Sequence, residues 1–475
     1  MTKQNSQTSL ETLLTGNGTP GLGLTVRAVM TLALPAIIEQ IMITMVQYVD
    51  TAMVGSLGSQ ATAAVGLTSS TTWLIGGILS AAAVGFSVQV AQYVGAGKED
   101  KARAVTGQAM KFTVLFGLLV TVLAVLLSWP LPHWLNGDAE IIAPASAYFR
   151  IYACALPFNF CVQMLSSVIR CTGDTRTPMR LNLSINLLNM VFNFLLIYPT
   201  RMLTVFGRTF RMWGADLGVQ GAAWGSFLSL LLVSGAFLTV YFVRESPVRP
   251  RKGEKYPFEK DCISTTVRLG IPVALERCAM SMAQIVITAL ISKVGVAAVA
   301  ANHLAVTAES ISYMPAYGVA AAATTMVGQA LGAKRKDLAR KFSHIATGIG
   351  VLIMTCGGLL LYLLADPLIR LFTPDAEVIE LGRQVLRVVS FAEPFFGMSI
   401  VVTGALRGAG DTKAPFILGL ISMWGVRITL SLLLVGRLGL VGAWIAMAVE
   451  LGVRGILFLF RMLSGRWLEI SLFAD

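Results

Sequence analysis

Residues 34–58 read LPAIIEQIMITMVQYVDTAMVGSLG, an apolar run of membrane-crossing length that carries two acids, Glu39 and Asp50. About 20 helical residues span the hydrocarbon core, and a carboxylate held there is costly unless it faces other polar groups. Eleven residues of helix advance three turns plus roughly 20°, so both carboxylates sit on one face, about 16 Å apart. That face must look into a polar interior. The run returns 237 positions later as IPVALERCAMSMAQIVITALISKVG, with Pro272 for Pro35, Glu276 for Glu39, Gln284 for Gln47 and Gly295 for Gly58. Ile287 stands where Asp50 would be, so the chain reads as a duplication whose copies have diverged at an interior acid.

The rest of the sequence fits that frame. Of 475 residues, 55% are hydrophobic and only 13% charged, which excludes an ordinary soluble domain. Apolar runs set off by Gly, Pro and charge predict twelve spans, near 27–54, 60–94, 104–130, 140–169, 178–199, 217–243, 265–292, 296–329, 341–365, 376–406, 414–435 and 438–462. The proline-rich, charged stretch RESPVRPRKGEKYPFEKD divides them into halves. This predicts a tail over 1–25, a six-helix lobe over 26–243, a linker over 244–262, a second lobe over 263–463 and a tail over 464–475. The 237-residue offset also relates Gln92 to Gln329, Gly95 to Gly332, Pro157 to Pro394, Arg170 to Arg407, and GDTRTP at 173 to GDTKAP at 410. After the fifth span the offset falls to 221, relating Gly221 to Gly442; the extra residues lie around TRMLTVFGRTFRMWGA, expected to form a hairpin.

Basic residues follow the even-numbered spans, as Lys98, Lys101, Arg103, Arg170, Arg176 and Lys334 to Lys336 illustrate, so both termini are expected in the cytoplasm of a multi-pass inner-membrane protein. Arg201, Arg208 and Arg211 in the hairpin are the exception. Since six spans per half is an even number, the halves should be related by a pseudo-two-fold axis along the membrane normal, with substrate between them. The bases are too scattered between apolar runs for nucleic-acid binding. The six cysteines show no C-x-x-C pair, His133, His303 and His344 form no metal motif, and the first 25 residues lack the apolar core of a signal peptide. No G-x-S-x-G or Walker A sequence appears, so neither an intramembrane enzyme nor an ATP-driven pump is expected.

The VDTAMVG end of the first span, the repeated Q-x-x-G-A at Gln92 and Gln329, and R-x-x-G-D-T at Arg170 and Arg407 together resemble the multidrug and toxic compound extrusion (MATE) family. The resemblance covers nearly the whole chain. It implies an all-α membrane protein with two six-helix lobes around a central cleft, which exports amphipathic organic cations in exchange for H⁺ or Na⁺ by alternating access and needs no cofactor. It is expected to act as a monomer. The nearest alternative is a lipid-linked saccharide flippase of related fold, for which a cationic cavity would be required; the acids of the spans are expected to outnumber bases in the cleft.

Several residues are candidates for the chemistry. Asp50, with Asn186, Asn189 and Asn193 at helical spacing on the fifth span, forms a polar set in the first half alone, since Met423, Val426 and Leu430 replace the asparagines in the second. A carboxylate beside carboxamides could carry H⁺ or hold Na⁺, and the resemblance implies an ion-coupling site there. By the same resemblance Glu276 is expected to couple ion or substrate. Glu39, Gln47, Tyr48, Met282, Gln284, Glu309 and Glu393 are expected substrate contacts, with Trp73 a further cleft candidate. Arg427 is expected to pair with Glu450, as the nearest countercharge to a group of acids that also includes Glu309 and Glu393. Glu39→Gln is expected to be mild relative to Asp50→Asn.

Overall fold

The computed structural model describes residues 20–135, 139–205, 208–251 and 253–470, with Leu10, Leu13, Leu14 and Leu472. The first lobe contains α1 (Leu22–Gly55), α2 (Ser59–Gly95), α3 (Glu99–Leu127), α4 (Ala139–Cys171), α5 (Arg176–Leu196) and α6 (Gly218–Val243). The second contains α7 (Lys260–Ser292), α8 (Val296–Gly332), α9 (Lys336–Leu363), α10a (Ala376–Ser390) and α10b (Glu393–Gly408), and a long helical stretch from Lys413 to Leu463. Gly439, with φ 57° and ψ −137°, breaks that stretch into α11 (413–438) and α12 (440–463). Among the described residues nine helices, counting Lys413–Leu463 once, are long and apolar enough to cross a membrane, or ten if the bent α10 pair is one span. Helix α8 is not among them; it carries Asn302, His303 and Glu309, and much of its length is buried by its neighbours.

The tenth span departs from the continuous helix expected of it. Its two parts meet at 59°, with the break at Phe391 and Ala392. Pro394 accounts for the position: proline fits the first turn of a helix but disfavours helical geometry in the residue before it. Helix α11 is interrupted differently, by a π-helical segment at Ile421–Ile428 that contains Arg427. The extra residues of the first half form an antiparallel ribbon of β1 (Pro199–Val205) and β2 (Arg208–Ala215). Arg201 lies over the rings of Phe194 and Tyr198, 4.2 and 4.1 Å from their centroids, which accounts for one base on the hairpin side of the bundle.

Each lobe has its own apolar core, but α1 and α7 also face across the boundary. Val29, Leu32 and Ala33 of α1 pack with Val319, Ala323 and Met326 of α8, and Leu269 of α7 packs with Val88 of α2. The two GDT loops explain their own sequence. Gly173 and Gly410 have φ of 92° and 87°, a region that favours glycine. The following aspartate turns back to cap the next helix: Asp174 accepts from the amides of Arg176 and Thr177, and Asp411 from that of Ala414. Each aspartate is also paired with an arginine at the end of its lobe, Asp174 with Arg244 just past α6 and Asp411 with Arg461 in the last turn of α12.

Candidate functional site

Where the lobes meet at the end carrying the linker and the GDT loops, two glutamines clasp them together. Gln92 Nε2 donates to the carbonyl of Gly408 at 3.3 Å, and Gln329 Nε2 to that of Cys171 at 2.7 Å. Donors and acceptors are both repeat mates, so one contact is made twice. Glycine permits it: a Cβ on Gly95 would lie 2.0 Å from the Gln329 carbonyl oxygen, and one on Gly332 1.9 Å from that of Gln92.

Beyond this closed end lie two cavities of about 420 and 670 Å³ that share Gln40, Ser80, Ser167, Arg170 and Arg277 along their walls. Their charge corrects the expectation of an acidic cleft. Arg170, Arg277, Arg407 and Arg454 line them, against Glu39 and Glu276. Arg170 and Arg407 end α4 and α10b and had the look of cytoplasmic loop charge, but they point back into the protein. Arg170 Nη1 is 2.9 Å from Glu39 Oε1, and Arg407 Nη2 is 2.8 Å from Glu276 Oε2. This, too, is one contact made twice, because both the acid and the base are repeated at the same offset. Asn182 adds a bond of 2.7 Å to Glu39, which is 4% exposed. Glu39 and Glu276 are thus held as ion pairs at the cleft wall.

The Asp50 centre lies in the first lobe and has no counterpart in the second. Asn193 Nδ2 donates to Asp50 Oδ1 at 3.0 Å. With its amide nitrogen turned toward the carboxylate, Asn189 donates to both oxygens, at 2.9 and 2.8 Å, and its own oxygen accepts from the hydroxyl and amide of Ser226. A carboxylate selects that orientation because a carbonyl in its place would be repelled. Gly225 makes the room: a Cβ there would lie 2.1 Å from Asn193 Oδ1. Asn186, one turn away, lines the larger cavity instead, with Nδ2 unpartnered among the described residues. The centre is therefore one carboxylate held by two carboxamides, able to take a proton, or to take Na⁺ if the amide oxygens turn inward.

A second polar cluster is buried in the other lobe. Glu393 is fully buried at the first turn of α10b, where the bend places its carboxylate at a helix N-terminus, and it accepts from Ser312 at 2.7 Å. Glu309, 2% exposed, faces it from α8, and each retains one oxygen without a partner among the described residues. The expected Arg427–Glu450 pair is not formed. Glu450 is bound by Arg454, one helical turn away on α12, at 2.6 Å, whereas Arg427 Nη2 lies 2.9 Å from Met447 Sδ. An i,i+4 partner on the same helix needs no tertiary alignment, and this local pairing prevails.

The remaining candidates fall in different places. Tyr48 donates to the carbonyl of Thr307 at 2.7 Å and lies 2.6 Å from Ser310 Oγ, joining α1 to α8. Met282 and Gln284 are exposed on α7 and line neither cavity, and Glu309 and Glu393 are sealed away from both. Trp73 lines the larger cavity. The side chain of Gln47 lies outside the described residues. Sequence reasoning missed Arg277, Arg454, Gln40 and Asn182. The repetition of Glu39 with Arg170 and of Glu276 with Arg407 at one offset was the available signal for the paired arginines.

The chain has clear relatives. The MatE family model matches residues 35–195 and 272–433, once in each lobe. The probable multidrug resistance protein NorM of Thermotoga maritima is 30% identical over 441 residues, 92% of each chain. The multidrug resistance protein MdtK of Edwardsiella ictaluri is 27% identical over 460 residues, 93% of this chain and 95% of that one. Among solved structures, the outward-facing conformation of a multidrug resistance MATE family transporter of the MOP superfamily superposes with a TM-score of 0.86 at 21% identity, covering 97% of this chain and 98% of that one.

Proposed function

The chain belongs to the MATE family of membrane transporters, and we propose that it expels amphipathic organic cations in exchange for H⁺ or Na⁺ moving inward through the same two lobes by alternating access. Its membership makes it a multi-pass multidrug efflux transporter rather than an enzyme, acting on small molecules. The observation that carries the antiport reading is Asp50, a carboxylate of α1 held by the Asn189 and Asn193 amides, with Asn186 of the same α5 face on the wall of the larger cavity. A cation taken up there removes the charge that orders the amides, and so changes the packing of α1. A proton does this at one carboxylate without further oxygen ligands, which favours H⁺. In this reading the linker end faces the cytoplasm with both termini, the chain resides in the inner membrane and works as a monomer, and residues 26–243 and 263–463 move as the two lobes.

A ligand shifts a conformational equilibrium only by its differential affinity for the two states. Removing the carboxylate that takes the ion should therefore abolish exchange while leaving the fold intact. Reconstituted protein should expel ethidium from liposomes when a pH gradient is imposed, and Asp50→Asn should lose that response at matched insertion. Full gradient-driven transport by Asp50→Asn would refute the coupling role; transport driven by a sodium gradient alone would reassign the ion.

A further inference from the structure

We infer that Arg277 sets a specificity of the cavity between the lobes, its guanidinium binding the anionic group of any zwitterionic amphiphile that enters. This rests on reading the cavity as the substrate chamber. Three of the four arginines that line it already have carboxylates: Arg170 has Glu39, Arg407 has Glu276 and Arg454 has Glu450, at 2.9, 2.8 and 2.6 Å. Arg277 has none among the described residues. It follows Glu276 directly on α7, and one residue is roughly 100° of helix, so its side chain leaves on a different face from the Glu276–Arg407 pair. It is exposed and borders both cavities.

The opposite wall is shaped to admit it. Gly76 and Gly77 of α2 line the larger cavity, and a Cβ on Gly77 would already touch Arg277 Cβ at 3.4 Å, so a bulkier residue there would crowd the arginine stem. The repeat mate of Arg277 is Gln40, which borders the same two cavities but carries no charge. Among the described residues the chamber thus presents one uncompensated guanidinium, on the second-lobe side only. A planar guanidinium offers paired N–H donors that match a carboxylate, sulfonate or phosphate. Tyr317, Phe396 and Phe458 on the smaller cavity's wall supply apolar surface for the rest of the molecule.

The test compares rhodamine 110, which carries a free carboxylate, with rhodamine 123, its methyl ester, so that the two dyes differ only at the anionic group. Binding to purified protein is measured by fluorescence anisotropy without any ion gradient, for wild type, Arg277→Gln and Arg277→Lys. Arg277→Gln should weaken rhodamine 110 by about tenfold or more, the scale of a charge-assisted hydrogen bond, and leave rhodamine 123 within about twofold. Arg277→Lys, which keeps the charge but not the fork, should fall between. If wild type does not bind rhodamine 110, or if Arg277→Gln alters both dyes alike or neither, the inference is wrong. Because the assay uses no gradient, failure of the antiport reading would appear separately, as loss of gradient-driven rhodamine 123 efflux by wild type in liposomes.

Discussion

Replacing Gly332 by alanine should drive the lobes apart at the linker end. The new Cβ would stand 1.9 Å from the Gln92 carbonyl oxygen, and ordinary contact begins near 3.4 Å, so the two backbones must separate by about 1.5 Å. Neither atom is the tip of a flexible side chain; both belong to helices pinned by the glutamine clasp. Overpacking of this kind costs about 1–3 kcal/mol, which lowers the closed state relative to the open one by roughly 5- to 150-fold. Cys171 reports the change, because it is 3% exposed and its carbonyl is the acceptor for Gln329. Alkylation of Cys171 by a membrane-impermeant maleimide, applied from the linker side and quantified by peptide mass spectrometry, should accelerate at least about fivefold in Gly332→Ala. Gly348→Ala serves as control, since nothing lies within 4 Å of the Cβ it would add. An unchanged rate at Cys171 in folded Gly332→Ala protein would show that the clasp does not define a closed state.

Other substitutions separate the structural acids from the proposed coupling acid. Glu39→Gln, at a residue only 4% exposed, leaves Arg170 facing a neutral amide, so it should destabilise the protein by roughly 3 kcal/mol. Glu276→Gln, in a pair whose side chains are 15% and 16% exposed, should cost about 1–2 kcal/mol; thermal unfolding in detergent that ranks the two the other way would refute the assignment. Asp50→Asn should melt within a few degrees of wild type, because the carboxamide fills the same space and keeps an acceptor for Asn193, and a large loss of stability would make Asp50 structural rather than coupling.

The sequence carried the helices well and the side-chain partners poorly, for reasons visible in particular residues. Span limits follow from hydrophobic length, so most were legible to within a few residues. The bend at Phe391 was signalled by Glu393–Pro394 but masked by apolar residues on both sides. Asp50 stood out because a charge inside an apolar run has few explanations, and Asn189 and Asn193 because helical spacing aligns them. Arg170 and Arg407 were misread because a base at a span's end normally means a loop, and only tertiary structure shows it folding back to a glutamate. The Arg454–Glu450 pair, at i,i+4, was readable from spacing, yet the mid-span position of Arg427 drew attention away from it.

What the duplication preserved and what it lost suggest how the parts cooperate. The glutamine clasp and the Glu–Arg pairs occur once per lobe, as expected of contacts that two lobes make about a shared axis. The Asp50 centre occurs once, so if it takes the coupling ion as proposed, its neutralisation must act on the lobe boundary through α1. Tyr48 is the nearest described route: it lies two residues before Asp50 and reaches Thr307 and Ser310, next to Glu309 on α8. If it transmits the change, Tyr48→Phe should remove both boundary contacts of the hydroxyl, worth about 0.5–1.5 kcal/mol per bond, while leaving the ring and the Asp50 amides in place. Drug affinity measured without a gradient should then stay within about twofold, whereas the drug exported per unit of imposed gradient should fall severalfold, because α1 would move without carrying α8. A variant that loses both equally, or neither, would mean that the two lobes communicate by another path.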